Sequence, residues 1–135
     1  MTTIAPHSDD TVIGQVITKF CAGDFSLFDH IATDIDFRID HFRDETDVNW
    51  QQATSRADLA LVFERLATEV FPKGTRAIDI ATTALGQGWH LTRFHQEFFY
   101  GVRQCDVTSQ TYIISHEAAG QLDYFRETVT TVDNK

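Results

Sequence analysis

The side chains able to move protons gather on three alternating segments of the chain. In the first, Ile35, Phe37, Ile39 and His41 share one side, and Asp36, Arg38, Asp40 and Phe42 the other. An imidazole in phase with an apolar face can act as a general base near neutral pH. The plainer reading of His41 is a polar residue where the strand leaves the core. The second segment places Tyr112, Ile114 and His116 on one face, and the third places Asp123, Phe125 and Glu127 on one face. Paired as a hairpin around Gly120, these two segments bring polar groups together. Tyr112 can then donate to a carbonyl or oxyanion, while His116 or Asp123 handles a proton. The alternatives are a core aromatic with its hydroxyl at the edge for Tyr112, and a solvated residue beside a turn for Asp123. Arg93, His95 and Glu97 also alternate, opposite Phe94, Phe98 and Tyr100. They read either as a row that orients an acidic substrate or as a cross-strand polar ladder on an outer face or dimer interface.

Other chemistries lack their residues. His90 and His95 are five apart on a strand and point to opposite faces, and no paired-cysteine or histidine spacing suits a metal. No phosphate-binding glycine loop, nucleophile elbow or dinucleotide fingerprint occurs. Neither a metal nor a cofactor is therefore expected. Cys21 falls on the apolar side of a helix and reads as inert core. Nothing marks Cys105 as a nucleophile.

Those segments need a scaffold, and 135 residues provide one domain, residues 1–135. With 42% hydrophobic and 12% aromatic residues, including 11 Phe, the chain can build a core without disulfide or metal. Eleven basic residues against 20 acidic ones leave a net charge of −9. That balance argues against a nucleic-acid groove and an anionic membrane surface. No apolar stretch is long enough to span a bilayer. Met1 to Asp10 shows no secretory pattern, so a cytoplasmic protein with free thiols is expected.

The elements follow from periodicity. Val12, Ile13, Val16, Ile17, Phe20 and Cys21 predict a helix over 8–22, capped by Ser8 and stopped by Gly23. Asp24 caps a short second helix carrying Phe25, Leu27, Phe28 and Ile31. A strand over 35–42 and a polar stretch over 43–54 come next. Leu59, Val62, Phe63, Leu66, Val70 and Phe71 then predict a helix over 56–71, ended by Pro72 and Gly74. Strands are predicted over 76–85, 89–103, 106–116 and 121–132, with turns at Gly86-Gln87-Gly88 and Ala118-Ala119-Gly120. The class is α+β, with helices on one face of an antiparallel sheet.

This order resembles the cone-shaped NTF2-like fold, and within it the SnoaL-like branch. FCAGDFSLFDHIATDIDFRID (20–40) is similar to that family's helix, short helix and first strand. YIISHEAAGQLDYFRETV (112–129) is similar to its closing hairpin. The resemblance spans nearly the whole chain and implies three N-terminal helices packed on a curved antiparallel sheet, a pocket between them, and a dimer. Ketosteroid isomerase, polyketide cyclases, limonene-epoxide hydrolase, dioxygenase small subunits and non-catalytic binding modules share that fold. The isomerase's base position matches Ile39 and its donor position Tyr112, so its carboxylate pair is not reproduced.

The expected function is cofactor-free acid–base chemistry of isomerase, cyclase or hydrolase type on a small apolar or aromatic molecule. His41, Tyr112, His116 and Asp123 are the expected catalytic groups. Phe37, Ile39, Trp50, Phe63, Ile114 and Phe125 are the expected pocket, with Trp50 as its cover or its plug. The alternative is a non-catalytic dimeric binding or assembly module; a weaker one is a small subunit of a ring-hydroxylating dioxygenase. Strands apolar on both phases imply a sheet covered on both faces, hence a homodimer through the outer face.

Overall fold

The computed structural model describes residues 11–40, 42, 43 and 45–135. Helix α1 (Val12–Ala22) leads into a 3-10 turn (Phe25–His30) and strand β1 (Ile31–Asp40). Strand β2 (Gln52–Ala53) and helix α2 (Arg56–Arg65) follow, and α2 widens into a π turn over Leu66–Val70. Four long strands finish the chain: β3 (Thr75–Gly86), β4 (Trp89–Tyr100), β5 (Cys105–Ala118) and β6 (Gln121–Asn134). Among the described residues no helix is long and apolar enough to cross a membrane.

Helix α1 begins later than its periodicity suggested. Thr11 is the N-cap, its Oγ1 accepting the Gly14 N–H at 3.1 Å. The expected cap Ser8, with Asp9 and Asp10, lies outside the described residues. Gly23, at φ 69°, stops the helix as expected. Ile13, Val16 and Ile17 are buried beneath it. Ser55 caps α2 by accepting the Asp58 N–H at 3.1 Å, and Leu59, Val62, Leu66 and Val70 form its buried side. The π turn closes with the Phe71 N–H donating to the Leu66 carbonyl at 2.8 Å. Directly beside it, a Cβ on Gly101 would run into the Glu69 carbonyl oxygen, so only glycine fits there.

The strands form one open, curved sheet in the order β2-β1-β6-β5-β4-β3. It is mixed rather than wholly antiparallel, because β1 and β6 run parallel. Helix α2 carries the chain from one edge to the other, so β3 restarts in the direction of β2. Three hairpins then leave β6 aligned with β1. Among the described residues, α1 and the 3-10 turn precede the first strand and α2 follows β2, so the helices are not all N-terminal. Two-residue turns close two hairpins, with Gln87 and Gly88 at φ 57° and 86°, and Ala119 and Gly120 at 53° and 78°. Positive φ at both central residues matches strand twist.

Register decides which side chains meet. One row runs Phe37, Phe125, Ser115, His90 across β1, β6, β5 and β4; the next runs Ile39, Glu127, Ile113, Thr92. Both rows face the helices. The intervening row, Arg38, Arg126, Ile114, Leu91, faces away. In β6 two residues, Leu122 and Tyr124, span the step that β5 makes from Glu117 to His116, so Asp123 is bulged out. A bulge of one residue reverses the faces on either side of it.

Candidate functional site

Between α1, α2 and the helix-facing side of the sheet lies a cavity of about 80 Å³. That is room for several water molecules or a small organic group. Its wall is aromatic because every second residue of the strands and the buried side of α2 supply rings. Phe37 stacks on Phe125 with centroids 4.5 Å apart, and Phe63 meets Phe37 edge-on at 5.8 Å. Phe98 packs between Phe71 and Tyr100 at 4.6 and 5.6 Å. Such offset and edge-on contacts suit the ring quadrupoles.

A few polar groups interrupt this wall. The segment after β1 folds back over the cavity, fixed by the Ile39 N–H donating to the Gln51 carbonyl at 3.0 Å. It delivers Glu45 and the buried Gln51 to the lining. Tyr100 Oη donates to Glu45 Oε2, and Gln51 Nε2 donates to Glu45 Oε1, each at 2.6 Å. Both oxygens of Glu45 are thus already engaged.

Glu127 is different. It projects from β6 between Ile39 and Ile113, and burial pushes its carboxyl up to about 7. The neighbouring Glu45 carboxylate adds to the rise, and the Thr111 hydroxyl opposes it. Desolvation dominates because an apolar wall cannot solvate the charge. Below Glu127 on β5, the hydroxyls of Ser109 and Thr111 line the same cavity. They are only 2% and 1% exposed. Thr111 reaches the Glu127 carboxyl, whereas Ser109 Oγ has no hydrogen-bond partner among the described residues. Buried hydroxyls are normally satisfied, so Ser109 is poised for something inside the cavity. Among the described residues no three His, Cys, Asp or Glu side chains cluster to hold a metal.

Of the residues proposed from sequence, Phe37, Ile39, Phe63 and Phe125 line this cavity. His41 lies outside the described residues. Tyr112 and Ile114 do not reach the cavity: they face away from the helices and are 42% and 43% exposed. The reason is register, since the partners of Phe125 and Glu127 across the hairpin are Ser115 and Ile113, not Tyr112 and Ile114. His116 and Asp123 do come together, His116 Nδ1 to Asp123 Oδ1 at 2.7 Å, but beside Trp89 at the far end of the sheet. His116 Nε2 lies 3.1 Å from the Gln87 carbonyl. The hydrogen bond to Asp123, above all, raises the imidazole above its ordinary value. The bulge puts Asp123 there instead of beside Phe125. Trp50 is not part of the lining either. Its indole N–H donates to the Asp47 carbonyl at 2.8 Å and its ring lies under the Arg65 guanidinium.

The Arg93 row is a polar ladder: Arg93 pairs with Asp79 at 2.7 Å, and Glu97 with Arg76 and Lys135. Burial pushes the Cys21 thiol up to about 11, so it stays protonated near neutral pH. Glu127 was legible in part, because it stands two residues from Phe125 and so shares its face. Glu45 and Gln51 carried no signal, since they belong to a segment without periodicity.

Neither a protein-family profile nor a curated protein sequence matches the chain. Solved structures do. A candidate polyketide cyclase from Xanthomonas campestris pv. campestris superposes with a TM-score of 0.70 at 13% identity, covering 88% of this chain and 87% of that one. An NTF2-like protein from Anabaena variabilis gives 0.71 at 12% identity, over 97% of this chain and 95% of its own. An epoxide hydrolase from M. tuberculosis, described as LEH-like, gives 0.66 at 13% identity, over 88% and 80%. With a helix-covered, open curved sheet that superposes on these chains over most of their length, the protein has the NTF2-like fold, the architecture shared by SnoaL-like polyketide cyclases.

Proposed function

We propose that this protein binds a small, largely apolar molecule in the cavity and moves a proton on it through Glu127. The observation that carries this reading is a carboxyl held near 7 inside an aromatic wall, beside the Ser109 hydroxyl, which has no partner among the described residues. A group balanced between its two forms near neutral pH both accepts and returns a proton. In an isomerase-type step, a C–H bond of the substrate breaks and the proton passes to the Glu127 carboxylate. The electron pair moves onto a substrate oxygen, where Ser109 donates a hydrogen bond. The proton then returns from Glu127 at a second position. Glu45 is fixed by Tyr100 and Gln51 and serves as a shaped polar wall. His41, one residue beyond β1, is kept as a second proton-handling candidate on its sequence position alone. The polyketide cyclase description of one structural neighbour agrees with proton abstraction beside a carbonyl. Tyr112, His116 and Asp123 have no part in it.

The remainder of the reading concerns partners and place. The outer face of the sheet leaves Trp89, Leu91, Tyr112 and Ile114 between 36% and 43% exposed in neighbouring rows. A patch of that kind asks for cover, and a second copy of this chain is the proposed partner. Two free thiols agree with a cytoplasmic location.

Deuterium exchange at the α-carbons of butanone in D2O tests the chemistry with a probe that suits the cavity. The expected result is catalysed exchange that rises with pH through about 7 and falls at least about a hundredfold in Glu127→Gln, the usual scale for one general base. Exchange at the same rate in the variant overturns the role of Glu127. Binding without exchange leaves a non-catalytic binding module.

A further inference from the structure

Building on the reading of the cavity as a small-molecule site, we propose that its ligand is an organic cation. Its ammonium head would lie against Glu45 and Glu127, and its apolar body among the phenylalanine rings. The charge of the lining carries the inference first. Among the described residues, the cavity is lined by two carboxylates and by no Lys, Arg or His. Arg103 stands behind the wall, its guanidinium 5.7 Å from the Phe42 ring and 5.9 Å from the Tyr100 ring. It donates to the Val132 carbonyl and to Asn134 Oδ1. Two like charges in one apolar space repel and resist desolvation, and a cation relieves both at once. An anionic ligand would add a third like charge.

The second observation is independent of charge. Ser109 Oγ lines the same space and is buried with no partner among the described residues. An ammonium offers several N–H donors, and this hydroxyl can accept one. The third is the wall itself, since aromatic faces attract cations through their quadrupole. A metal ion is a poorer occupant. No third His, Cys, Asp or Glu joins the pair among the described residues, and a bare ion would leave the apolar walls unused. The net charge of −9 also steers cations toward the protein.

The groups that face Glu127 set the sign of the pH dependence. Glu45 comes from the segment after β1, and Tyr100 comes from β4. The lining residues of α1, α2, β1 and β5 carry no titratable group. A cation favours ionised Glu127, so it binds better above the carboxyl's pKa than below it. A neutral ligand gains nothing from that ionisation. With a value of about 7, the ionised fraction rises about tenfold from pH 6 to pH 8.

The test is an amide-NMR titration of the full chain with n-butylammonium, 1-butanol and butyrate at pH 6 and pH 8. The expected result at pH 8 is a Kd for n-butylammonium at least about tenfold below that of 1-butanol, with no binding of butyrate. The ammonium Kd should rise about tenfold on going to pH 6, while 1-butanol stays within about twofold. Glu127→Gln should abolish that pH dependence and weaken the ammonium alone. If 1-butanol or butyrate binds as tightly as n-butylammonium, the cation inference falls and the small-molecule cavity stands. The inference also falls if Glu127→Gln leaves the ammonium Kd unchanged. If no probe shifts the cavity-lining amides, both readings fall.

Discussion

Ionising Glu127 must cost the folded protein, and the cost is measurable without knowing any ligand. In the unfolded chain the group titrates at its ordinary 4.5; in the folded protein burial raises this to about 7. Between those values the native state holds a proton that the unfolded state has released. Stability therefore falls as pH rises through this window, by about 1.4 kcal/mol per pH unit, and levels off above it. The difference of roughly 2.5 units corresponds to about 3 kcal/mol, an upper bound if water enters the cavity. Glu127→Gln keeps the shape and removes the titration. Urea unfolding of both proteins, followed through Trp50 and Trp89 fluorescence at pH 5, 6, 7 and 8, isolates the effect. His116 and every other group titrate in both proteins and cancel in the difference. The variant should gain on the wild type steadily from pH 5 to pH 7, reaching about 2–3 kcal/mol at pH 8. A difference that stays flat across this range would show Glu127 to be solvated, and the reasoning about the site would fail with it.

Two more outcomes follow from packing. Gly101→Ala should destabilise the fold by about 1–3 kcal/mol, because the new methyl meets the Glu69 carbonyl at the end of the π turn; a melting temperature unchanged within about 1 °C would refute the close approach. Ile114→Asp, placed in the middle of the exposed outer patch, should convert a dimer to a monomer by light scattering at micromolar concentration. A wild-type protein that is already monomeric there would dispose of the proposed interface.

Much of the architecture was legible because hydrophobic period and punctuation report local geometry. The rhythm of Val12, Ile13, Val16 and Ile17 found α1, and that of Leu59, Val62, Leu66 and Val70 found one helix over the span that α2 and the π turn occupy. Gly88 and Gly120 marked the two tight hairpins, and alternation found β1 and the four long strands. Helix starts were less legible. The cap of α1 is Thr11, and any of several nearby polar side chains would have met the same rule.

The site was harder to read because it depends on pairing between strands. Alternation puts Tyr112, Ile114 and His116 on one face, which holds, and Asp123, Phe125 and Glu127 on one face, which holds for Phe125 and Glu127 but not for the bulged Asp123. Which of these faces meets the helices is fixed by register, and one residue of shift exchanges them. The bulge at Asp123 is a second break of phase that no local pattern announces.

Local composition and period were therefore enough to give the α+β class and the apolar faces of its elements. Pairing in three dimensions was needed to bring Glu127, not Tyr112, into the cavity, to fold Glu45 and Gln51 in to meet it, and to pair His116 with Asp123 elsewhere. Those outcomes rest on contacts between residues distant in the chain, and on how far packing strips water from one carboxyl, which neither spacing nor composition encodes.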